Sequence, residues 1–172
     1  MFETHLKELF EKVRTGDREA FALIYNELKQ PVFTIVYRIV QSKEVSEDIT
    51  HDVFVKLFVS PPDSSVKNPR AWIFQMARNR SIDTLRKKKF VNIDDASVNA
   101  TDDLGHIAVR LDIESAIQKL SCIEREVLSL HLTAGLHFNE ISGIVSLSMP
   151  ATYRLYRKAL KNLQVILEGG SL

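Results

Sequence analysis

The chain has 172 residues, of which 45% are hydrophobic and 26% charged, and its formal net charge at pH 7 is +1. These values are ordinary for a globular protein of one domain or two small ones. No apolar run approaches the roughly 18 residues that a membrane-spanning helix needs, the single cysteine excludes an internal disulfide, and the N-terminus lacks a targeting signal, so we expect a cytoplasmic protein.

The charge is distributed unevenly along the chain. Residues 66–90 hold eight basic side chains and one acidic one, a net charge of +7, whereas residues 91–114 hold one basic and six acidic side chains, a net charge of −5. The segments before and after them carry −3 and +2. Alternating blocks of charge indicate separate surfaces for separate partners.

Three amphipathic helices are predicted before residue 60. The first two, Phe2–Thr15 and Arg18–Gln41, repeat apolar residues at helical spacing. Gly16 supplies a stop between them, and Pro31 marks a bend or a restart inside the second. The third is expected to run from an N-cap at Ser46 to about Phe58. Its buried side comprises Ile49, Val53, Phe54 and Leu57.

The third helix also carries a second, mostly polar stripe. Asp48, His51, Asp52 and Val55 share this face at a spacing of i, i+3, i+4 and i+7. An Asp/His/Asp cluster is one way to hold a metal, but no other His, Asp or Glu cluster at ligand spacing offers the remaining ligands. A surface that contacts a basic partner helix is the better interpretation.

The most informative stretch is the helix predicted over Asn68–Lys89, which follows the Pro/Ser-rich loop Val59–Lys67. Asn68 is a good N-cap, and Pro69 at the first helical position loses no useful N–H. One face of the helix is small and apolar and suits packing, while the opposite face carries amides, guanidinium groups and the edge of Trp72. The packing face comprises Ile73, Phe74, Ala77, Ser81 and Leu85.

The concentration of positive charge in this helix indicates a polyanion as partner. A solvated cationic helix end, favoured by the helix dipole, would explain Arg86–Lys89. It would not explain the aromatic, amide and guanidinium side chains in the preceding turns, so nucleic acid is the favoured partner. For Trp72 itself, packing against Met76 is nearly as good an explanation as stacking on a base.

Residues 91–106 are predicted to be an acidic, polar and flexible linker, because they are rich in Asp, Asn, Ser, Thr and Ala. The linker separates a domain at residues 1–90 from one at residues 107–172. In the second domain, Ser121 and Glu124 fit a capping box for a helix that ends near Gly135.

The end of the chain has the pattern of a helix-turn-helix. A short helix, Phe138–Val145, precedes a tight turn and a longer helix that begins with Ser148 as its N-cap. The longer helix has a predicted core side and a basic outer side, although the end of an ordinary three-helix bundle is an alternative. The core side comprises Thr152, Tyr156, Ala159 and Leu163, and the basic side comprises Arg154, Arg157, Lys158 and Lys161.

Two of these stretches resemble the bacterial RNA polymerase sigma factors of the extracytoplasmic-function (ECF) subfamily. Glu47–Phe58 matches the family helix acidic-acidic-apolar-x-Gln-Asp-x-Phe, with His51 where Gln is usual. Ala71–Arg86 closely matches the next family helix, Ala-Trp-Leu-x-x-Ile-Ala-x-Asn-x-x-x-Asp-x-Leu-Arg. Ser148–Tyr156 corresponds to the family's recognition helix, with Leu155 where Arg is usual. The order of the parts is more specific than any one motif.

The resemblance implies an all-α fold of two small helical domains, a bundle like sigma region 2 and a helix-turn-helix like sigma region 4. It implies a protein that directs core RNA polymerase to specific promoters by recognising the minus-ten and minus-thirty-five elements. The implied partners are core RNA polymerase, promoter DNA as duplex and as melted strand, and an anti-sigma factor. Catalysis belongs to the polymerase, and no enzymatic activity, cofactor or metal is expected.

The resemblance also assigns residues to three sites. Core polymerase is expected to bind Asp48, His51, Asp52 and Val55. The minus-ten element is expected to contact Lys67, Arg70, Trp72, Arg78, Asn79, Arg80, Arg86 and Lys87. The minus-thirty-five element is expected to contact Ser148, Ala151, Thr152, Arg154, Leu155 and Lys158.

Two other classes of protein remain as alternatives. A freestanding helix-turn-helix regulator would bind duplex DNA without polymerase, and this would leave the +7 helix and the acidic helix before it without a purpose. A helical adaptor without a nucleic-acid partner would leave both basic surfaces unexplained.

Overall fold

The computed structural model describes residues 2–91 and 108–169. Within these ranges every regular element is an α-helix, which confirms the predicted all-α fold, and no helix there is long and apolar enough to cross a membrane. The helices are α1 Phe2–Arg14, α2 Arg18–Val40, α3 Lys43–Val59, α4 Pro69–Val91, α5 Ala108–Gln118, α6 Cys122–Leu132, α7 Phe138–Val145 and α8 Met149–Leu167.

The contacts divide the chain into two compact units, Met1–Ile93 and Asp94–Leu172. Almost all of the predicted linker, residues 91–106, lies outside the described residues. The boundaries of the domains and the linker therefore stay a prediction, and we describe each unit by itself.

Helix α2 is the centre of the N-terminal unit, because it contacts α1, α3 and α4. It continues through Pro31 without ending there. Its apolar face is buried, and each large side chain buried in this way contributes about 1.5–3 kcal/mol relative to exposure. The largest fully buried side chains of the unit include Phe10, Ile24, Leu28, Leu57, Ile73 and Phe74.

Helix α3 begins earlier than the sequence predicts. Its N-cap is Ser42, whose side chain accepts a hydrogen bond from the backbone N–H of Val45, and not Ser46. Ser46 lies one turn inside the helix, where its buried hydroxyl donates to the carbonyl of Ser42 at 2.6 Å. The predicted buried side of the helix is confirmed, since Ile49, Val53, Phe54 and Leu57 are all in the core.

Helix α4 begins as predicted. The side-chain oxygen of Asn68 accepts a hydrogen bond from the backbone N–H of Ala71 at 3.0 Å, which caps the helix. The predicted packing face is confirmed in its first three turns, and its last member, Leu85, is partly buried. The fully buried members are Ile73, Phe74, Ala77 and Ser81.

Helix α8 has the corresponding role in the C-terminal unit, where it contacts α5, α6 and α7. The helix-turn-helix consists of α7, a turn and α8, with the α7 bounds that the sequence predicts. Ser146 ends α7 in the left-handed conformation (φ 57°), and the Ser148 hydroxyl accepts from the N–H of Ala151 at 3.3 Å. The core of the unit joins Ile117, Leu120, Leu128 and Ala159 to Tyr156, Leu163 and Ile166.

Candidate nucleic-acid and partner-binding surfaces

The polar stripe of α3 faces solvent. Its four predicted residues, Asp48, His51, Asp52 and Val55, are all exposed, because the opposite face of the helix is held in the core. We call these four residues the α3 stripe. Two carboxylates beside an apolar side chain form a surface that suits a partner with basic and apolar groups.

Two further apolar side chains, which were not among the predicted contact residues, extend the α3 stripe toward the end of the helix. Phe58 is 50% exposed and Val59 is 74% exposed. Phe58 is held in place by an edge-to-face contact with Phe21, with 5.1 Å between the ring centroids. Exposed apolar side chains beside charged ones are typical of protein-binding surfaces.

The outward side of α4 carries the predicted nucleic-acid contacts, and we call these residues, together with Lys67 in the preceding loop, the α4 surface. Asn79 and Arg86 are exposed and recur at helical spacing, while Trp72 is half-buried at the start of the same face. A half-buried tryptophan can both pack and present an edge, so both explanations of Trp72 survive. The α4 surface comprises Lys67, Arg70, Trp72, Arg78, Asn79, Arg80, Arg86 and Lys87.

Two arginines of the α4 surface form ion pairs with neighbouring helices. Nη1 of Arg80 lies 3.0 Å from Oδ2 of Asp52 on α3. Nη1 of Arg70 lies 3.1 Å from Oε1 of Glu27 on α2. Neither pair could be predicted from local sequence patterns, because the paired residues lie 28 and 43 positions apart in the chain.

One hydrogen bond ties the loop that leads into α4 to α1, and another lies within the loop. The guanidinium of Arg14 on α1 donates from Nε to the carbonyl of Pro62. Oδ1 of Asp63 accepts from the N–H of Ser65 at 2.8 Å, and this hydrogen bond is the main cause that lowers the pKa of Asp63. These contacts fix the path of the loop on its way to Asn68.

The basic side of α8 is exposed at Arg154 and Lys158, and Ala151 and Leu155 are partly exposed beside them. The assignment of Thr152 to the DNA-contacting set needs correction. Its side chain is fully buried, and its hydroxyl donates to the carbonyl of Ser148 at 2.9 Å, so it cannot reach a base. It belongs only to the core side of the helix, where the helical spacing also puts it.

A buried carboxylate holds the start of α6 against α8. Glu124, 3% exposed, accepts from the backbone N–H of Ser121 at 3.1 Å, as the capping box predicts, and also from the Ser121 hydroxyl at 2.8 Å. It also accepts from Nδ2 of Asn162 at 2.9 Å and lies 3.5 Å from Nζ of Lys158. Burial is the largest influence and raises the pKa of Glu124, but Ser121 and Lys158 outweigh it, so the pKa lies below its ordinary value.

An aromatic cluster packs α7 and the end of α6 against α8. The His131 ring stacks on Phe138 and meets Tyr156 edge-on, with centroid distances of 4.5 and 4.9 Å. Nδ1 of His131 lies 2.9 Å from the carbonyl of Leu136. Phe138 also contacts Tyr153 on α8, a residue that is 43% exposed. The cluster thus joins the end of α6 to both helices of the helix-turn-helix.

The match to a protein-family model lies in the N-terminal unit. Residues 24–91 match the Sigma-70 region 2 family. The SigK ECF RNA polymerase sigma factor of Mycobacterium ulcerans (strain Agy99) is 24% identical over 175 residues, which cover 95% of this chain and 94% of the relative. The protein of the same name from Mycobacterium tuberculosis (strain H37Rv) is 25% identical with the same coverage.

Two solved structures share the fold. Sigma factor RpoE of Bartonella quintana, solved with the anti-sigma factor NepR, has a TM-score of 0.73 at 19% identity and covers 86% of this chain and 96% of its own. CnrH, solved with the cytosolic domain of CnrY, has a TM-score of 0.69 at 20% identity and covers 97% and 99%.

Proposed function

We infer from the region 2 match and the ECF relatives that this chain is an ECF RNA polymerase sigma factor. It is a sigma factor that directs RNA polymerase in transcription initiation, and such factors are not themselves enzymes. The observation that carries this conclusion is the region 2 match over residues 24–91, which includes every residue of the α3 stripe and the α4 surface.

We propose that core RNA polymerase binds the α3 stripe. The support is physical: Asp48 and Asp52 are exposed, the adjoining Phe58 and Val59 add apolar area, and the helix beneath is held rigidly by its buried face. A basic partner helix with apolar side chains would find both charge and contact area there.

We propose that the α4 surface recognises and helps to melt the minus-ten element. Cationic side chains bind backbone phosphates whatever the base sequence, and so they position the protein on the DNA. An exposed amide such as that of Asn79 can instead bind the edge of an unpaired base. Trp72 at the start of the surface provides an aromatic edge for stacking, and stacking is worth about 1–3 kcal/mol per base. The loop before α4, which Arg14 ties to α1 at Pro62, would place Lys67 beside the phosphates of the same DNA.

We propose that α8 binds the minus-thirty-five element in the major groove. Arg154 and Lys158, both exposed cations, support this, and Lys158 is partly positioned by Glu124. Leu155, where the family usually has Arg, would make an apolar contact such as one with a thymine methyl. Ser148 and Ala151 stand at the N-terminal end of the helix, the end that enters the groove in helix-turn-helix proteins.

The protein is proposed to act in the cytoplasm, where bacterial promoters and polymerase are. The enzymatic step is assigned wholly to the polymerase. An anti-sigma factor is proposed as a further partner, since the similar RpoE of Bartonella quintana was solved with one.

The test is capture of purified core RNA polymerase by the tagged, full-length chain. Stoichiometric capture is expected, and it should be lost in a chain that carries Asp48→Lys and Val55→Lys. A chain that binds duplex DNA but captures no polymerase would instead be the freestanding regulator, and one that binds neither would be an adaptor.

A further inference from the structure

An ion pair joins the two proposed surfaces of the N-terminal unit. Asp52 belongs to the α3 stripe and Arg80 to the α4 surface, and their charged atoms are 3.0 Å apart. Both side chains are open to solvent, with 59% of Asp52 and 40% of Arg80 exposed. This contact therefore lies where polymerase and DNA are both proposed to bind.

Each member of this ion pair can instead bind a charged group of another molecule: Arg80 can bind a DNA phosphate, and Asp52 can bind a basic side chain of polymerase. A phosphate oxygen competes with the Asp52 carboxylate for the guanidinium donors of Arg80, and the carboxylate also lowers the positive potential that a phosphate meets. A basic side chain of polymerase competes with Arg80 for Asp52 in the same way. Because the pair is exposed and joined by one hydrogen bond, breaking it for either exchange costs little free energy.

We propose that the Asp52–Arg80 pair couples polymerase binding to DNA binding. A basic group of polymerase that takes Asp52 frees Arg80 for a backbone phosphate of the DNA, so the protein binds DNA more tightly within the holoenzyme than alone. This inference rests on the proposed function. Exposed ion pairs are weak, so the coupling is about two- to fivefold, and it acts by the same factor in both directions.

The second pair between helices, Arg70–Glu27, provides a comparison inside the same unit. It has almost the same length, 3.1 Å, but Glu27 lies on α2 and not in the α3 stripe. Polymerase binding at the α3 stripe therefore does not compete for Glu27, and Arg70 is not part of the proposed coupling.

The first measurement uses the free, full-length chain and a fluorescent oligo(dT) of about 20 nucleotides, because phosphate contacts do not depend on sequence. By fluorescence anisotropy at low salt, Asp52→Asn should bind about two- to fivefold more tightly than the wild type. The gain should vanish when Arg80→Gln is also present. Asp48→Asn removes the same charge from the same stripe without touching Arg80, and it should give a smaller gain.

The second measurement compares wild type and Arg80→Gln in the free chain and in reconstituted holoenzyme on the same probe. In the free chain the substitution should change the affinity for the probe little, because Arg80 is already paired with Asp52. In the holoenzyme the loss should be about two- to fivefold larger, which is the coupling expected for an exposed pair. Circular dichroism melting of every variant controls for folding.

Three results would overturn the inference. Equal gains for Asp52→Asn and Asp48→Asn would show only a general charge effect. A loss from Arg80→Gln that is equal in free chain and holoenzyme would mean that polymerase does not free Arg80, while the proposed function would stand. A wild-type chain that forms no holoenzyme would remove the proposed function and, with it, this inference.

Discussion

At the scale of single residues, exposure separates the side chains that can bind a partner from those that hold the fold. Asn79 and Thr152 are both polar residues inside helices, yet Asn79 is exposed whereas Thr152 is fully buried and bonded to its own backbone. Helical spacing already places Thr152 on the core side of α8. The sequence by itself therefore indicates that Thr152 does not contact DNA. Asn79 keeps its proposed role as the residue that binds an unpaired base.

Asn79→Ala should lower open-complex formation by about tenfold, because loss of one base-edge contact costs roughly 1–3 kcal/mol. Polymerase binding should stay near that of the wild type, since the α3 stripe is unchanged. Permanganate footprinting of unpaired thymines would measure the opening.

The matched control for Asn79 is Gln75→Ala, which removes an exposed amide from the same helix one turn earlier, outside the predicted contact set. If Asn79→Ala opens promoters as well as Gln75→Ala does and keeps the sequence preference of the wild type, Asn79 does not bind a base.

Ser146 supplies a second prediction, about stability. It adopts φ 57°, a left-handed conformation that costs a non-glycine residue on the order of 1–2 kcal/mol. Ser146→Gly should therefore stabilise the C-terminal unit by about 1 kcal/mol, less the greater entropy of glycine in the unfolded chain. Chemical denaturation would measure the gain, and a loss of stability would show that the Ser146 side chain contributes more than its conformation costs.

At the scale of elements, hydrophobic periodicity predicted the helices well and the contacts between them poorly. The bounds of α7 and the packing face of α4 follow from spacing and capping residues that lie close together in the chain. The start of α3 was misplaced because Ser42 and Ser46 are equally good caps, and the acidic residues after Ser46 favoured the wrong one. The ion pair between Asp52 and Arg80 depends on how α3 packs on α4, which no local pattern reveals.

Helix α3 should lose polymerase binding when the charge of its stripe is reversed. Asp48→Lys is cleaner than a change at Asp52, because Asp52 also pairs with Arg80. The variant should bind core polymerase on the order of tenfold more weakly, as expected for a reversed charge at an interface, with stability within about 0.5 kcal/mol of the wild type.

Surface plasmon resonance with immobilised core polymerase would measure the effect at Asp48. Glu8→Lys makes the same charge change at an exposed position of α1 and serves as the control. If Asp48→Lys and Glu8→Lys bind equally well, polymerase does not contact the α3 stripe.

The contact of α6 with α8 should depend on pH through Glu124. Because the folded protein holds the pKa of Glu124 below its ordinary value near 4.5, its carboxylate contributes stability above pH 4.5, and this is lost as the pH falls through the folded pKa. Glu124→Gln should cost about 1–2 kcal/mol at pH 7.

Melting temperatures of the wild type and Glu124→Gln, measured from pH 7 down to about pH 3, should converge as the pH falls below the ordinary pKa of Glu. Other carboxylates titrate in both proteins alike, so the difference between the two curves reports Glu124. A difference that stays constant over this range would contradict the proposed role of the charge.

At the scale of the whole molecule, one unit carries the α3 stripe, which is proposed to bind polymerase, and the basic helix α4. The second unit carries a helix-turn-helix. Each proposed DNA contact is modest by itself, since the exposed cations are few on α8 and partly paired on α4. Two weak DNA-binding units in one chain raise the effective concentration of the second once the first is bound. Promoter selection is therefore expected of the whole protein and its polymerase together.

The most direct test of the central claim is transcription by purified core RNA polymerase on genomic DNA of the source organism, with and without the full-length chain. Mapping of transcript 5′ ends should show a small set of new start sites that appear only with the chain, share sequence elements upstream, and weaken strongly with Asn79→Ala. Transcription that starts at the same sites, with the same yields, whether or not the chain is present would contradict its role as a sigma factor.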